Sequence, residues 1–168
     1  MRLSRDFYKK DVIKVAENLL GKRLVREFGG GERFEDLITE VEAYSGEEDM
    51  ASHARFGKTD RNKVMYGKPG LVYVYLIYGM HWMFNVVTGE EGEAQAVLVR
   101  GTKKVSGPGR LGDKLELDRS FYGEDLLESS RVWLEEGKRV SDDEISRKLR
   151  VGVDYAGEWA MKKWRLVW

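Results

Sequence analysis

Apolar positions mark out the elements before any chemistry does. Val12, Val15, Ala16, Leu19 and Leu20 recur at i, i+3, i+4, i+7 and i+8, which predicts an amphipathic helix over residues 11–20. Asp11 can cap its start, and Gly21 stands where a left-handed residue closes a helix. Leu24–Phe28 and Glu35–Tyr44 read as two strands around the turn Gly29-Gly30-Gly31. Alternation along the second puts Ile38, Glu40, Glu42 and Tyr44 on one face and Leu37, Thr39, Val41 and Ala43 on the other. Residues 45–68 are polar without a period, a long loop of the kind that carries function in a compact domain. Leu71–Ile77 and His81–Val87 predict a hairpin turning at Tyr78-Gly79-Met80, and Ala94–Arg100 a further strand. Arg110–Leu117 reads as a short helix behind Gly107-Pro108. Ser141-Asp-Asp-Glu144 has the capping-box pattern, which predicts a helix through Leu149, and Trp164–Trp168 reads as a last strand. The order predicts an α+β fold: a single domain over residues 1–168, with a curved, mainly antiparallel sheet, flanking helices and a protruding β-hairpin.

Composition narrows the chemistry. The 168 residues suffice for one core. With no cysteine, disulfides, thiol nucleophiles and cysteine–zinc sites are excluded. His53 and His81 are the only histidines, so no metal site is expected. Leu71–Val87 is apolar, but it is shorter than the roughly 20 residues that span a bilayer and holds three tyrosines, His81 and Asn85. Residues 1–20 are charged throughout, so an intracellular protein of the cytoplasm or nucleoid, with no membrane partner, is expected.

Formal charge balances at 29 bases and 29 acids, but the signs segregate. Glu32–Asp49 holds eight acids and one base, whereas His53–Lys68 holds five bases and one acid. Arg100–Arg119 is also mainly basic. The pattern suggests a basic face beside an acidic one on a neutral chain, with a mixed solvated surface as the alternative reading.

Three sets of residues can do chemistry. Glu40 and Glu42 would stand about 7 Å apart on one strand face, a pair that can deprotonate water or cleave a glycosidic bond, or can simply pair with surface bases. Tyr44, Tyr73, Tyr75, Tyr78 and His53 can stack flat π-systems; at the hairpin tip Tyr78 has nothing beneath it and can act as a wedge. Asn85, amid Trp, Met, Phe and Val, needs a partner for its amide. Arg61, Arg100 and Arg110 are basic, and Gly107-Pro108-Gly109-Arg110 opens a helix whose N–H groups suit phosphate.

These residues fall in segments that resemble one family in order and spacing. The segments are Glu40-Val-Glu-Ala-Tyr44, Ala51-Ser-His53, Arg61-Asn62, Met65, Lys68-Pro-Gly70, Tyr73-Val-Tyr-Leu-Ile-Tyr-Gly79, Asn85, Val97-Leu-Val-Arg100, Gly107-Pro-Gly109, Arg150-Val-Gly-Val153 and Ala156-Gly-Glu-Trp159. Together they resemble the alkyladenine (3-methyladenine) DNA glycosylases of the mammalian type. The resemblance implies a monofunctional enzyme that flips alkylated or deaminated purines (3-methyladenine, 7-methylguanine, hypoxanthine, ethenoadenine) out of duplex DNA and excises them hydrolytically, starting base excision repair. It implies a monomer, no cofactor, no catalytic metal and no lysine Schiff base. Carried over, Glu42 and not Glu40 is the catalytic carboxylate. Tyr44 and His53 form one wall of the pocket and Tyr75 the other. Asn85 excludes the 2-amino group of guanine. Tyr78 fills the gap in the duplex, Arg100 holds a phosphate, Arg61 and Arg110 meet DNA, and Val153 lies in the loop that closes the pocket. Against the family pattern, Lys58 replaces a common arginine and Arg110 a common lysine, the chain stops early at Trp168, and the bulky His81–Phe84 run is expected to reshape the pocket floor. Two other readings stand beside this one: a non-catalytic reader of damaged nucleic acid, and a glycoside hydrolase using Glu40 and Glu42.

Overall fold

The computed structural model describes residues 1–168. Asp11 caps helix α2 (Val12–Leu19) by accepting the Ile13 N–H at 2.9 Å, after the short α1 (Arg5–Tyr8). Gly21 closes α2 at φ +81°, where a Cβ would meet the Lys138 carbonyl oxygen at 2.3 Å. The strands are β1 (Arg23–Glu27), β2 (Arg33–Ser45), β3 (Val72–Ile77), β4 (His81–Thr88) and β5 (Gln95–Thr102), followed by helix α3 (Pro108–Lys114). β6 (Val132–Glu135), β7 (Ser146–Lys148) and β8 (Arg165–Val167) complete them. They form one curled antiparallel sheet in the order β3-β4-β5-β2-β1-β6, with β8 bridging β2 and β7. The α+β expectation holds. No helix is long and apolar enough to cross a membrane.

One sheet face is the core. Val72, Val86, Val97 and Ala43 are successive cross-strand partners and all pack into the main apolar cluster with α2 and α3. Leu19, Leu20, Leu24, Phe84, Leu111 and Leu115 are almost wholly shielded there. At roughly 25 cal/mol per Å² of apolar surface removed from water, this burial is the main term holding the sheet to its helices.

Two expectations need correction. Ile38 does not share a face with Glu40 and Glu42: the β2–β5 register is irregular between Ile38 and Val41, and Ile38 joins Val41 and Ala43 in the core. The capping contacts at Ser141 form, with its N–H and hydroxyl both donating to Glu144 at 2.9 Å, but they enclose only one 3-10 turn, Asp142–Glu144. The predicted helix would bury Ile145 alone, since Leu149 stays largely exposed. A helix that short is not self-supporting, so residues 146–148 pair with β8. β6, β7 and α1 were not foreseen, because their few apolar positions show no period.

Candidate active site

The other sheet face carries the candidate site residues. Glu42 on β2 pairs with Leu98 on β5, Leu98 with Asn85 on β4, and Asn85 with Tyr73 on β3. Cross-strand partners project to the same side, so these four residues form one row across four strands. Tyr44 and Tyr75 lie two residues along from row members, on the same face. The loop after β2 and residues 150–161 cover this face.

Beneath them lies a pocket of about 180 Å³, lined by Tyr44, His53, Tyr75, Asn85, Val153 and Tyr155 among others. That is below the roughly 300–1,000 Å³ of sites for drug-sized ligands and suits a single flat ring system. Tyr73 and Tyr75 lie 5.4 Å apart, and the Asn85 amide donates to the Tyr73 carbonyl at 3.1 Å. His53 holds the Tyr73 hydroxyl through Nδ1 at 2.9 Å and meets Tyr75 edge-on at 4.4 Å. The two expected walls therefore touch at this corner.

Glu42 is fully buried and does not itself line the pocket. It is joined to the lining through two residues that do. The Tyr44 hydroxyl donates to Oε1 at 3.0 Å, and the Val151 N–H donates to Oε2 at 2.6 Å. Arg100 donates Nη1 to Oε1 at 3.3 Å, while its Nε goes to Glu40 at 3.2 Å. Both Glu40 oxygens are held by arginines, the second by Arg165 at 3.3 Å. The two glutamates thus differ sharply: Glu40 sits in an ion-pair cluster outside the pocket, and Glu42 is placed against it.

The aromatic rings are uncharged at neutral pH. Burial, then the charges of Arg61 and Arg55, pushes the His53 imidazole from 6.5 down to about 4. Burial, then the Glu42 charge, pushes Tyr75 up to about 12 and Tyr44 well above its ordinary value. Burial also raises Tyr73.

Behind the site lies a clasp with no local sequence signal. Arg150 and Asp49 are fully buried and bonded bidentately, at 2.5 and 3.0 Å, across 101 residues. Arg150 also donates to the carbonyls of Ala43 and Trp159. Asp49 in turn accepts from the N–H groups of Ser45 and Ala51. The clasp fixes the segment that brings Val151 to Glu42. Asp49 and Tyr155 carry no signal in the sequence; Arg150 and Val151 fall inside the segment Arg150–Val153 singled out there, but without a role.

The remaining positions lie at the rim. Tyr78 is 89% exposed at the β3–β4 tip with φ +51°. Arg61 is exposed with its guanidinium 5.4 Å from the Tyr75 ring, and Arg110 is exposed on α3. The bulky run after the tip does not shape the pocket floor as expected. Phe84 is buried in the main core, Trp82 packs against that core, and His81 pairs with Asp113 at 3.1 Å. Alternation along β4 sends Trp82 and Phe84 away from the face that carries Asn85, and neither His81 nor Met83 lines the pocket.

A family model described as methylpurine-DNA glycosylase matches residues 6–106 and 101–168. The chain is 42% identical to a protein of Methanocella arvoryzae over 97% of this chain and 90% of that relative. It is 44% identical to one of Legionella pneumophila, over 95% and 90%, and 45% identical to one of Myxococcus xanthus, over 98% and 88%. Each bears the name "Putative 3-methyladenine DNA glycosylase". These relatives are archaeal and bacterial, and the mammalian-type label is not supported. By family match and by identity over nearly its whole length, the chain belongs to the methylpurine-DNA glycosylase family, hydrolases of N-glycosyl bonds in DNA repair.

Proposed function

We propose that this enzyme, acting as a monomer, turns a purine alkylated at N3 or N7 out of duplex DNA and hydrolyses its glycosidic bond, with Glu42 as the base. The observation that carries this reading is a fully buried glutamate set against an uncharged aromatic pocket, with three fixed donors on its carboxylate. A carboxylate offers about four acceptor sites, so one is left for a water.

An N3- or N7-alkylated purine is a cation. Neutral Tyr44, His53 and Tyr75 receive it without like-charge repulsion and favour it by their ring faces. Seating it between His53 and Tyr75 requires their edge contact to part. The water held by Glu42 attacks C1′. Its oxygen bonds to C1′, the bond from C1′ to the purine nitrogen breaks, and the bonding pair neutralises the purine. The water proton passes to Glu42. The ionised carboxylate also stabilises the positive charge that develops on the sugar.

Neutral lesions such as hypoxanthine and ethenoadenine need a proton on the leaving base as well. Glu40 is a poor donor, because both its oxygens are taken by arginines, and His53 stays neutral. The site therefore favours the cationic 3-methyladenine over those two. Asn85, oriented by the Tyr73 carbonyl, selects against a 2-amino group, since an unmatched buried polar group costs about 1–3 kcal/mol. Val153 closes the pocket. Tyr78 enters the space left in the duplex, and Arg61, Arg110 and the remaining Nη2 of Arg100 take phosphates.

Incubation of the purified protein with methylated duplex DNA, followed by chromatography of free bases, tests the reading. Release of 3-methyladenine is expected. Lesion-dependent binding without release would make the chain a reader and not a catalyst.

A further inference from the structure

Phe56 is 81% exposed, although the segment around it is tightly built. Asn62, almost fully buried, donates to the carbonyls of His53 and Gly57 at 3.0 Å each and accepts from the Thr59 N–H at 2.7 Å. These bonds tie both ends of the segment, so Phe56 is presented to solvent by a fixed frame. Arg55 donates to the Ser52 carbonyl at 3.1 Å. Its guanidinium lies 4.8 Å from the Phe56 ring and 5.0 Å from the Tyr155 ring. Tyr155 lines the pocket. An aromatic–arginine–aromatic ridge therefore runs from Phe56 in solvent to the pocket mouth.

The surroundings indicate what meets this ridge. Residues 53–63 carry Arg55, Lys58, Arg61 and Lys63 against Asp60 alone. A single exposed ring among cations suits a surface of anions with flat apolar faces between them, which is nucleic acid. We infer that Phe56 is a second aromatic contact to DNA, packing on the base and sugar surface that flanks the displaced nucleotide while Tyr78 occupies the gap. This inference rests on the reading of the site as one that engages duplex DNA.

The test is fluorescence anisotropy with a duplex carrying a tetrahydrofuran abasic analogue, repeated over a series of salt concentrations. Loss of one base–aromatic stacking contact should weaken Phe56→Ala binding about tenfold. The slope of log affinity against log salt should not change, because no charge is removed. Arg55→Ala should instead lower that slope by about one phosphate contact. Phe56→Tyr keeps a stacking ring and should bind like the wild type. Phe56→Ala binding within twofold of the wild type overturns the inference. So does a wild-type dimer in sedimentation that Phe56→Ala converts to monomer, which would assign the ring to a second copy. Base release by the wild type separates the two claims: release with unchanged Phe56→Ala binding leaves the glycosylase reading standing, and no wild-type binding to DNA overturns both.

Discussion

The floor of the site and its rim are built by opposite rules. The floor lies on paired strands, in a register that aligns Glu42, Asn85 and Tyr73, and is closed by bonds that span up to 109 residues. Its charges are buried and matched. The rim lies on turns and a short helix. Tyr78, Phe56, Arg61 and Arg110 are all exposed. A proton transfer needs atoms held to fractions of an ångström out of water, whereas a polyanion is met by groups that reach and adjust. Floor substitutions should therefore damage chemistry or folding, and rim substitutions should damage affinity.

The largest expected effect on folding is at the clasp. Arg150→Met leaves Asp49 buried without its cation and frees the segment that carries Val151. Breaking a buried pair this way costs about 3–5 kcal/mol, measurable by urea denaturation. A loss below about 1 kcal/mol would mean that the floor does not depend on the pair.

The joint between floor and rim comes next. At Gly112 on α3, a Cβ would stand 1.9 Å from the Trp82 carbonyl oxygen, so helix and hairpin touch backbone to backbone. Gly112→Ala should cost about 1–3 kcal/mol and tilt the hairpin that presents Tyr78. Weaker DNA binding with a retained single-turnover rate at saturating DNA would support the division. An equal loss in both would show that the hairpin also sets the floor.

A pH dependence, silent at neutral pH, comes last. Burial holds His53 at about 4 in the folded chain against 6.5 for a free imidazole. The unfolded chain therefore binds the proton first. The stability linked to His53 is complete above 6.5, falls as pH drops toward 4 and is gone below. His53→Gln, which does not titrate, should flatten the melting temperature over that window. An unchanged profile would mean that His53 is not held neutral.

Periodicity and turn chemistry made α2, the β1–β2 turn, the β3–β4 hairpin and α3 legible, because each is decided within about a dozen residues. The capping box misled at Ser141, since a start signal cannot show that no apolar face follows it. Strict alternation failed at Ile38, where an irregular register is invisible in side-chain pattern. Within the site, Glu42 was distinguishable from Glu40 only through the family resemblance. The physical difference between them, two arginines on Glu40 against a tyrosine, a backbone N–H and one arginine on Glu42, comes from segments up to 125 residues away. Asp49 and the role of Val151 toward Glu42 were hidden for the same reason.

The most direct test of the account is single-turnover base release from methylated duplex DNA by Glu42→Gln and Glu40→Gln side by side. The account predicts that Glu42→Gln still binds the lesion duplex but loses release by about 10²–10⁴-fold, the usual worth of a positioned general base. Glu40→Gln should keep most of it. Full release by Glu42→Gln, or a larger loss in Glu40→Gln, would contradict the assignment of the buried glutamate as the group that activates water.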